Sequence, residues 1–118
     1  MPQVIQRRRD GTQDFNENWQ VYKLGFGESD GEFWLGNEAI HTLTSHRKYV
    51  LRVDLTNGDA DAAVAEYDMF SLDTEDNKYA LRLGEYRRVV STAGKSAYLF
   101  LAPCSLFIYF IQSLLGLT

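Results

Sequence analysis

The sequence predicts an α+β fold: short helices packed on an antiparallel strand meander, followed by an apolar, helical C-terminal tail. Three observations carry this. Tyr49, Leu51, Val53 and Leu55 alternate with Val50, Arg52 and Asp54, the period-two pattern of a half-buried strand. Tyr79, Leu81 and Leu83 alternate in the same way with Lys78, Ala80 and Arg82. Two segments upstream, residues 18–24 and 37–44, have helix-type apolar spacing and lie next to glycines.

The elements follow in order. Val4 and Ile5 open a short strand that ends in the basic run Gln6, Arg7, Arg8, Arg9. Asp10-Gly11 is a turn signal. Asp14 or Asn16 can cap a helix over residues 18–24, and Gly25 and Gly27 stop it. Gly31 and Gly36 bracket Glu32, Phe33, Trp34 and Leu35, a dense apolar knot. The second helix places Ile40 and Leu43 inward. After the strand at 49–55, residues 56–61 (Thr-Asn-Gly-Asp-Ala-Asp) form a turn. Residues 62–72 return as a strand, with Glu66 and Asp68 facing outward. Residues 73–77 make a second polar turn before the third strand.

Composition divides the chain. Its 118 residues suit one ordinary domain, and 45 % hydrophobic with 24 % charged residues excludes a disordered polymer. A net charge of −4 argues against nucleic acid, which needs a basic face. Every charged residue lies between Arg7 and Lys95, and residues 97–118 carry none. As a helix this tail would span about 33 Å, enough to cross a bilayer core, so a membrane-tethered protein is the alternative reading. Arg87, Arg88 and Lys95 on its N-terminal side would then hold the charged segment in the cytoplasm. Packing of the tail against the charged segment is expected to be poorly specified. Cys104 is the single cysteine, which excludes an intrachain disulfide. The N-terminus has a basic run with no apolar stretch behind it and is not a signal peptide.

A set of local phrases then converges. Val4-Ile5-Gln6-Arg7-Arg8 with Asp10-Gly11, Asp14-Phe15, Asn18-Trp19, Tyr22-Lys23 and Gly25-Phe26-Gly27 resembles the fibrinogen-like domain. So do Gly31-Glu32-Phe33-Trp34-Leu35-Gly36-Asn37-Glu38, Ile40-His41, Leu43-Thr44, and Ala65-Glu66-Tyr67-Asp68 with Phe70. Lys78-Tyr79, Leu81, Leu83-Gly84 and Tyr86 close the match. The resemblance implies an extracellular, lectin-like recognition module of the kind found in ficolins, tachylectin-like lectins, angiopoietins and tenascins. It implies glycan or protein ligands, often beside calcium, and no enzyme activity. It covers the N-terminal half of that domain, so the family's calcium loop and ligand pocket are expected outside this chain, leaving it no cofactor, metal, ligand-binding or catalytic residue of its own. The division expected is 1–86 as partial domain, 87–96 as junction and 97–118 as a tail foreign to the family.

Other chemistries have weaker support in the sequence. Asn57, Asp59 and Asp61 offer clustered oxygens but lack the length and closing Glu of a calcium loop. His41 and His46 are two short of a tetrahedral zinc set, and position 41 suits packing or capping. Glu32, Glu38, Glu66 and Asp68 sit among apolar neighbours, which argues for structural roles over paired-carboxylate catalysis. Arg7, Arg8 and Arg9 suit a solvated edge or a pair with a meander carboxylate better than a phosphate site. Trp19, Tyr22, Phe26, Phe33 and Trp34 suit core better than a sugar-stacking platform.

Overall fold

A computed structural model describes residues 2–56, 62–87 and 105–112. Strand β1 (Pro2–Arg8) leads to helix α1 (Trp19–Leu24), then the two-residue strands β2 (Phe26–Gly27) and β3 (Phe33–Trp34), and helix α2 (Asn37–His46). Strands β4 (Tyr49–Thr56), β5 (Ala62–Tyr67) and β6 (Phe70–Leu72) follow, then a 3-10 turn (Glu75–Asn77), β7 (Leu81–Leu83) and β8 (Ser105–Gln112). The described strands form a six-stranded antiparallel sheet in the order β2-β3-β1-β8-β4-β5 and a two-stranded ribbon of β6 and β7.

Helix α1 is capped two residues beyond Asn16, the later of the two expected caps. Asn18 is the N-cap, its Oδ1 accepting from the Val21 N–H at 3.0 Å, while Asp14 instead closes a tight turn onto the Asn16 N–H. Gly25 ends the helix as expected, at φ 93° with its N–H on the Val21 carbonyl. Helix α2 packs through Ile40, which is fully buried, onto Ile5, Leu51, Val53, Ala65 and Phe70. Leu72 fixes the helix to β6 twice: its N–H donates to Thr44 Oγ1 at 3.3 Å, and its carbonyl lies 2.8 Å from His41 Nδ1.

The single return strand expected over 62–72 is two strands. β5 stays with β4, whereas β6 leaves the sheet to pair with β7, the break falling at Asp68 and Met69. Asp68 explains the break: its Oδ1 accepts from the Glu85 N–H at 2.7 Å, and its own N–H goes to the Glu85 carbonyl. Glu66, expected outward, is 7 % exposed. Its register partner Arg52 and the later Arg87 bring guanidinium groups to 3.8 and 3.7 Å of its carboxylate, so charge is buried with its counter-charges. Val50 is buried as well as Leu51, so both faces of β4 are covered.

Residues 105–112 of the tail stand in strand β8, and the rest of the 97–118 segment expected as a helix lies outside the described residues; among the described residues no helix is long and apolar enough to cross a membrane. The run Leu-Phe-Ile-Tyr-Phe-Ile is aromatic and β-branched and apolar at every alternation, which suits a strand covered on both faces as well as it suits a helix.

Candidate functional site

The basic run of β1 and the apolar knot meet at one corner. Glu32 is buried, and its carboxylate accepts the backbone N–H groups of Arg9 at 2.5 Å, Asp10 at 2.8 Å, Gly11 at 3.0 Å and Gln13 at 2.8 Å. Burial pushes its pKa up, and these four donors outweigh that, holding it at about 2. The arginines serve the same corner. Arg7 Nη1 donates to the Ser29 and Gly31 carbonyls, Arg9 Nη2 to the Asp30 carbonyl, and Arg8 lies 4.3 Å from the Phe15 ring centre. Arg9 thus reaches the 28–32 loop with both its backbone N–H and its guanidinium.

The aromatic residues mostly pack on one another, as the sequence reading expected. Phe15 and Tyr22 both meet Phe26 edge-on at 5.0 Å, and Tyr22 lies 5.7 Å from Trp34. Trp34 Nε1 donates to the Tyr22 carbonyl and to Asn37 Oδ1, each at 3.1 Å. Trp19 is the exception: it is half-exposed, stacks on Tyr79 at 5.7 Å, and donates from Nε1 to Glu75 Oε2 at 3.0 Å.

Tyr79 is the residue that sequence reasoning misplaced. It was expected in a strand, yet Lys78 and Tyr79 stand consecutively at φ 57° and 51°. Two left-handed non-glycine residues in succession cost on the order of 1–2 kcal/mol each. The Tyr79 ring is nevertheless buried, and its hydroxyl donates to Glu38 Oε1 at 2.6 Å. Burial, and then the Glu38 carboxylate, push the phenol well above its ordinary value. The polar 73–77 turn was the available signal: the Lys78 and Tyr79 N–H groups return to the Glu75 and Thr74 carbonyls. Beside this strained pair lies an open apolar cavity of about 330 Å³ lined by Ile5, Trp34, Asn37, Phe70, Tyr79 and Leu81 among others, and Leu81 itself is 60 % exposed.

Among the described residues, the candidate carboxylates and histidines are held apart by separate partners. Glu32 serves the loop, Glu38 serves Tyr79, Glu66 faces arginines, and Asp68 holds the Glu85 N–H. His41 reaches Leu72 while His46 Nδ1 lies 2.7 Å from the Thr42 carbonyl of its own helix. Among the described residues no group of three His, Cys, Asp or Glu is placed to hold a metal. The turn carrying Asn57, Asp59 and Asp61 lies outside the described residues.

The fold that carries this arrangement matches known proteins. The family described as "Fibrinogen beta and gamma chains, C-terminal globular domain" matches residues 2–103. The chain belongs to that family. Human angiopoietin-1 is 44 % identical over 98 residues, 83 % of this chain but 19 % of angiopoietin-1. The fibrinogen-like globe of human ANGPTL6 superposes with a TM-score of 0.76 at 47 % identity, over 80 % of this chain and 41 % of the globe. Lamprey fibrin D-dimer, solved with the peptide Gly-His-Arg-Pro-amide, superposes at 0.70 and 41 % identity over 73 % of this chain and 28 % of that one. The chain thus spans about a fifth of the length of the angiopoietin-1 it matches. Within the fibrinogen-like frame, the Glu32 corner, the α2–β6 clasp and the Trp19–Tyr79 stack all fall inside the matched residues, whereas β8 begins two positions beyond them.

Proposed function

We propose that this chain is the N-terminal part of an extracellular fibrinogen-like recognition module, a binding protein and not an enzyme, whose calcium and ligand sites lie in sequence it does not contain. One observation carries the reading: four-fifths of this chain accounts for only 41 % of the ANGPTL6 globe. The carboxylates that a catalytic reading would enlist each have a structural partner, which supports the same view. Residues 1–86 are then the partial domain, 87–96 its junction and 97–118 an apolar tail, of which only the part after residue 103 lies beyond the family match.

A protein or peptide is the favoured ligand class of the parent domain, because the lamprey relative was solved with a bound peptide. Glycans are the second class, on family resemblance. The membrane alternative has no helix behind it among the described residues.

Calorimetry of the purified chain with calcium, N-acetylglucosamine and Gly-His-Arg-Pro-amide tests the proposal. No saturable heat is expected. Micromolar affinity for any of the three would sink the claim that the ligand site lies elsewhere.

A further inference from the structure

The β6–β7 ribbon uses only one edge of β7. Its register pairs Phe70 with Leu83, Ser71 with Arg82 and Leu72 with Leu81. The flanking bonds, from the Asp73 N–H to the Ala80 carbonyl and from the Gly84 N–H to the Met69 carbonyl, set the alternation of the antiparallel ladder. Arg82 therefore turns its backbone groups toward β6, and Leu81 and Leu83 turn theirs away from it. β7 is the last strand of its sheet, so among the described residues these outward N–H and C=O groups have no ladder partner.

The same edge borders the open cavity of about 330 Å³. Leu81 and Leu83 stand two apart, so their side chains share one face of the ribbon, across from Leu72 and Phe70. Phe70, Leu72 and Leu81 line the cavity, and Leu81 and Leu83 are 60 % and 39 % exposed. Among the described lining residues Lys78 alone carries a charge. It is exposed and has no ion pair among the described residues. The nearby carboxylates are engaged elsewhere: Asp73 with Arg82, Glu75 with Lys23, and Glu38 with the Tyr79 hydroxyl. The buried Tyr79 ring holds the left-handed turn that sets Lys78 at the rim. Apolar walls beside one free ammonium complement an apolar residue next to an anion.

We propose that the outer edge of β7 and this cavity bind the C-terminus of an extended peptide. A strand added antiparallel to β7 runs from Leu83 toward Leu81, so its C-terminal end arrives at Lys78. Its backbone pairs with Leu81 and Leu83, an apolar side chain opposite Leu81 enters the cavity, and the terminal carboxylate meets the Lys78 ammonium. This site stands apart from the ligand site of the parent domain.

Fluorescence anisotropy of fluorescein-Gly-Val-Thr-Phe-Thr with the full chain tests it. A saturable rise is expected. The C-terminal amide of that peptide, or Lys78→Gln in the chain, is expected to weaken binding about fivefold, the worth of one exposed ion pair. Lys78→Gln is expected to keep its melting temperature, which separates lost binding from lost folding. N-methylation of the phenylalanine, or its replacement by serine, is expected to abolish saturation. Gly-His-Arg-Pro-amide, which has no free carboxylate, is expected not to compete. Equal affinity for acid and amide, indifference to N-methylation, or no saturation by about 1 mM would each overturn the proposal. So would a dimer in sedimentation that Leu81→Ser dissolves, since the face would then belong to a second copy.

Discussion

The Tyr79 hydroxyl donates to Glu38 Oε1 at 2.6 Å, joining the left-handed turn after the 3-10 segment to the first turn of α2. The bond spans 41 residues of sequence and holds a strained backbone in place. Tyr79→Phe keeps the ring and its stack on Trp19 but loses the hydroxyl. A loss of about 1–2 kcal/mol is expected in urea unfolding, since Glu38 is exposed and is re-solvated by water. Tyr79→Ala also empties the ring's site and is expected to cost roughly 3–5 kcal/mol.

Burial of the same phenol, together with its bond to Glu38, sets an alkaline limit. The Tyr79 phenol is raised in the folded chain, so the folded state favours its neutral form. That stability is fully present below the ordinary tyrosine value of about 10 and is lost as pH rises toward the folded value. Melting temperature followed from pH 9 upward is expected to fall, and to fall less steeply in Tyr79→Phe. Some slope remains in that variant, because burial also raises Tyr22.

Glu32 sets the acid limit. Its carboxylate is ordinary at 4.5 when unfolded and stands at about 2 when folded, so its contribution is present above 4.5 and lost as pH falls toward 2. Glu32→Gln keeps the shape but removes the charge that four N–H groups share. It is expected to cost roughly 1.5–3 kcal/mol at neutral pH and to flatten acid unfolding over that window. Asp73, also held at about 2 by Arg82 and the Thr74 N–H, leaves a residual acid transition. An unchanged acid limb in Glu32→Gln would show that the 9–13 loop is not organised by this carboxylate.

Gly25 cannot be replaced by a residue with a side chain. At φ 93° a Cβ would collide with the Leu35 carbonyl, which is fixed backbone. Gly25→Ala is expected to destabilise by more than the ~1 kcal/mol of the backbone preference alone, whereas Gly11→Ala, at φ 79° but with open space around it, is expected to cost about that amount. Thermal melts of the two variants side by side separate collision from backbone preference.

The Tyr86 hydroxyl is buried and has no hydrogen-bond partner among the described residues, its ring set against Tyr67 at 5.6 Å. Tyr86→Phe removes the unsatisfied group and keeps the ring contact. It is expected to leave stability unchanged or raise it by about 1 kcal/mol, read from the urea midpoint. A clear loss would mean the hydroxyl is satisfied in solution.

By itself the sequence determined the family, the α+β class, helix α2 and the paired strands β4 and β5. Period-two and helical spacing report which residues share a face, and glycine at Gly25 reports where a chain must turn. Only the tertiary structure decided which faces are covered. Glu66 is buried because Arg52 and Arg87 converge on it, and Arg87 lies 21 positions along the chain. Tyr79 leaves its alternating pattern because the 73–77 turn and Glu38 together hold it left-handed. The tail is ambiguous alone, since an apolar run with no charge satisfies helix and central strand equally. Residues 105–112 pair with β1 on one side and β4 on the other, partners that are distant in sequence.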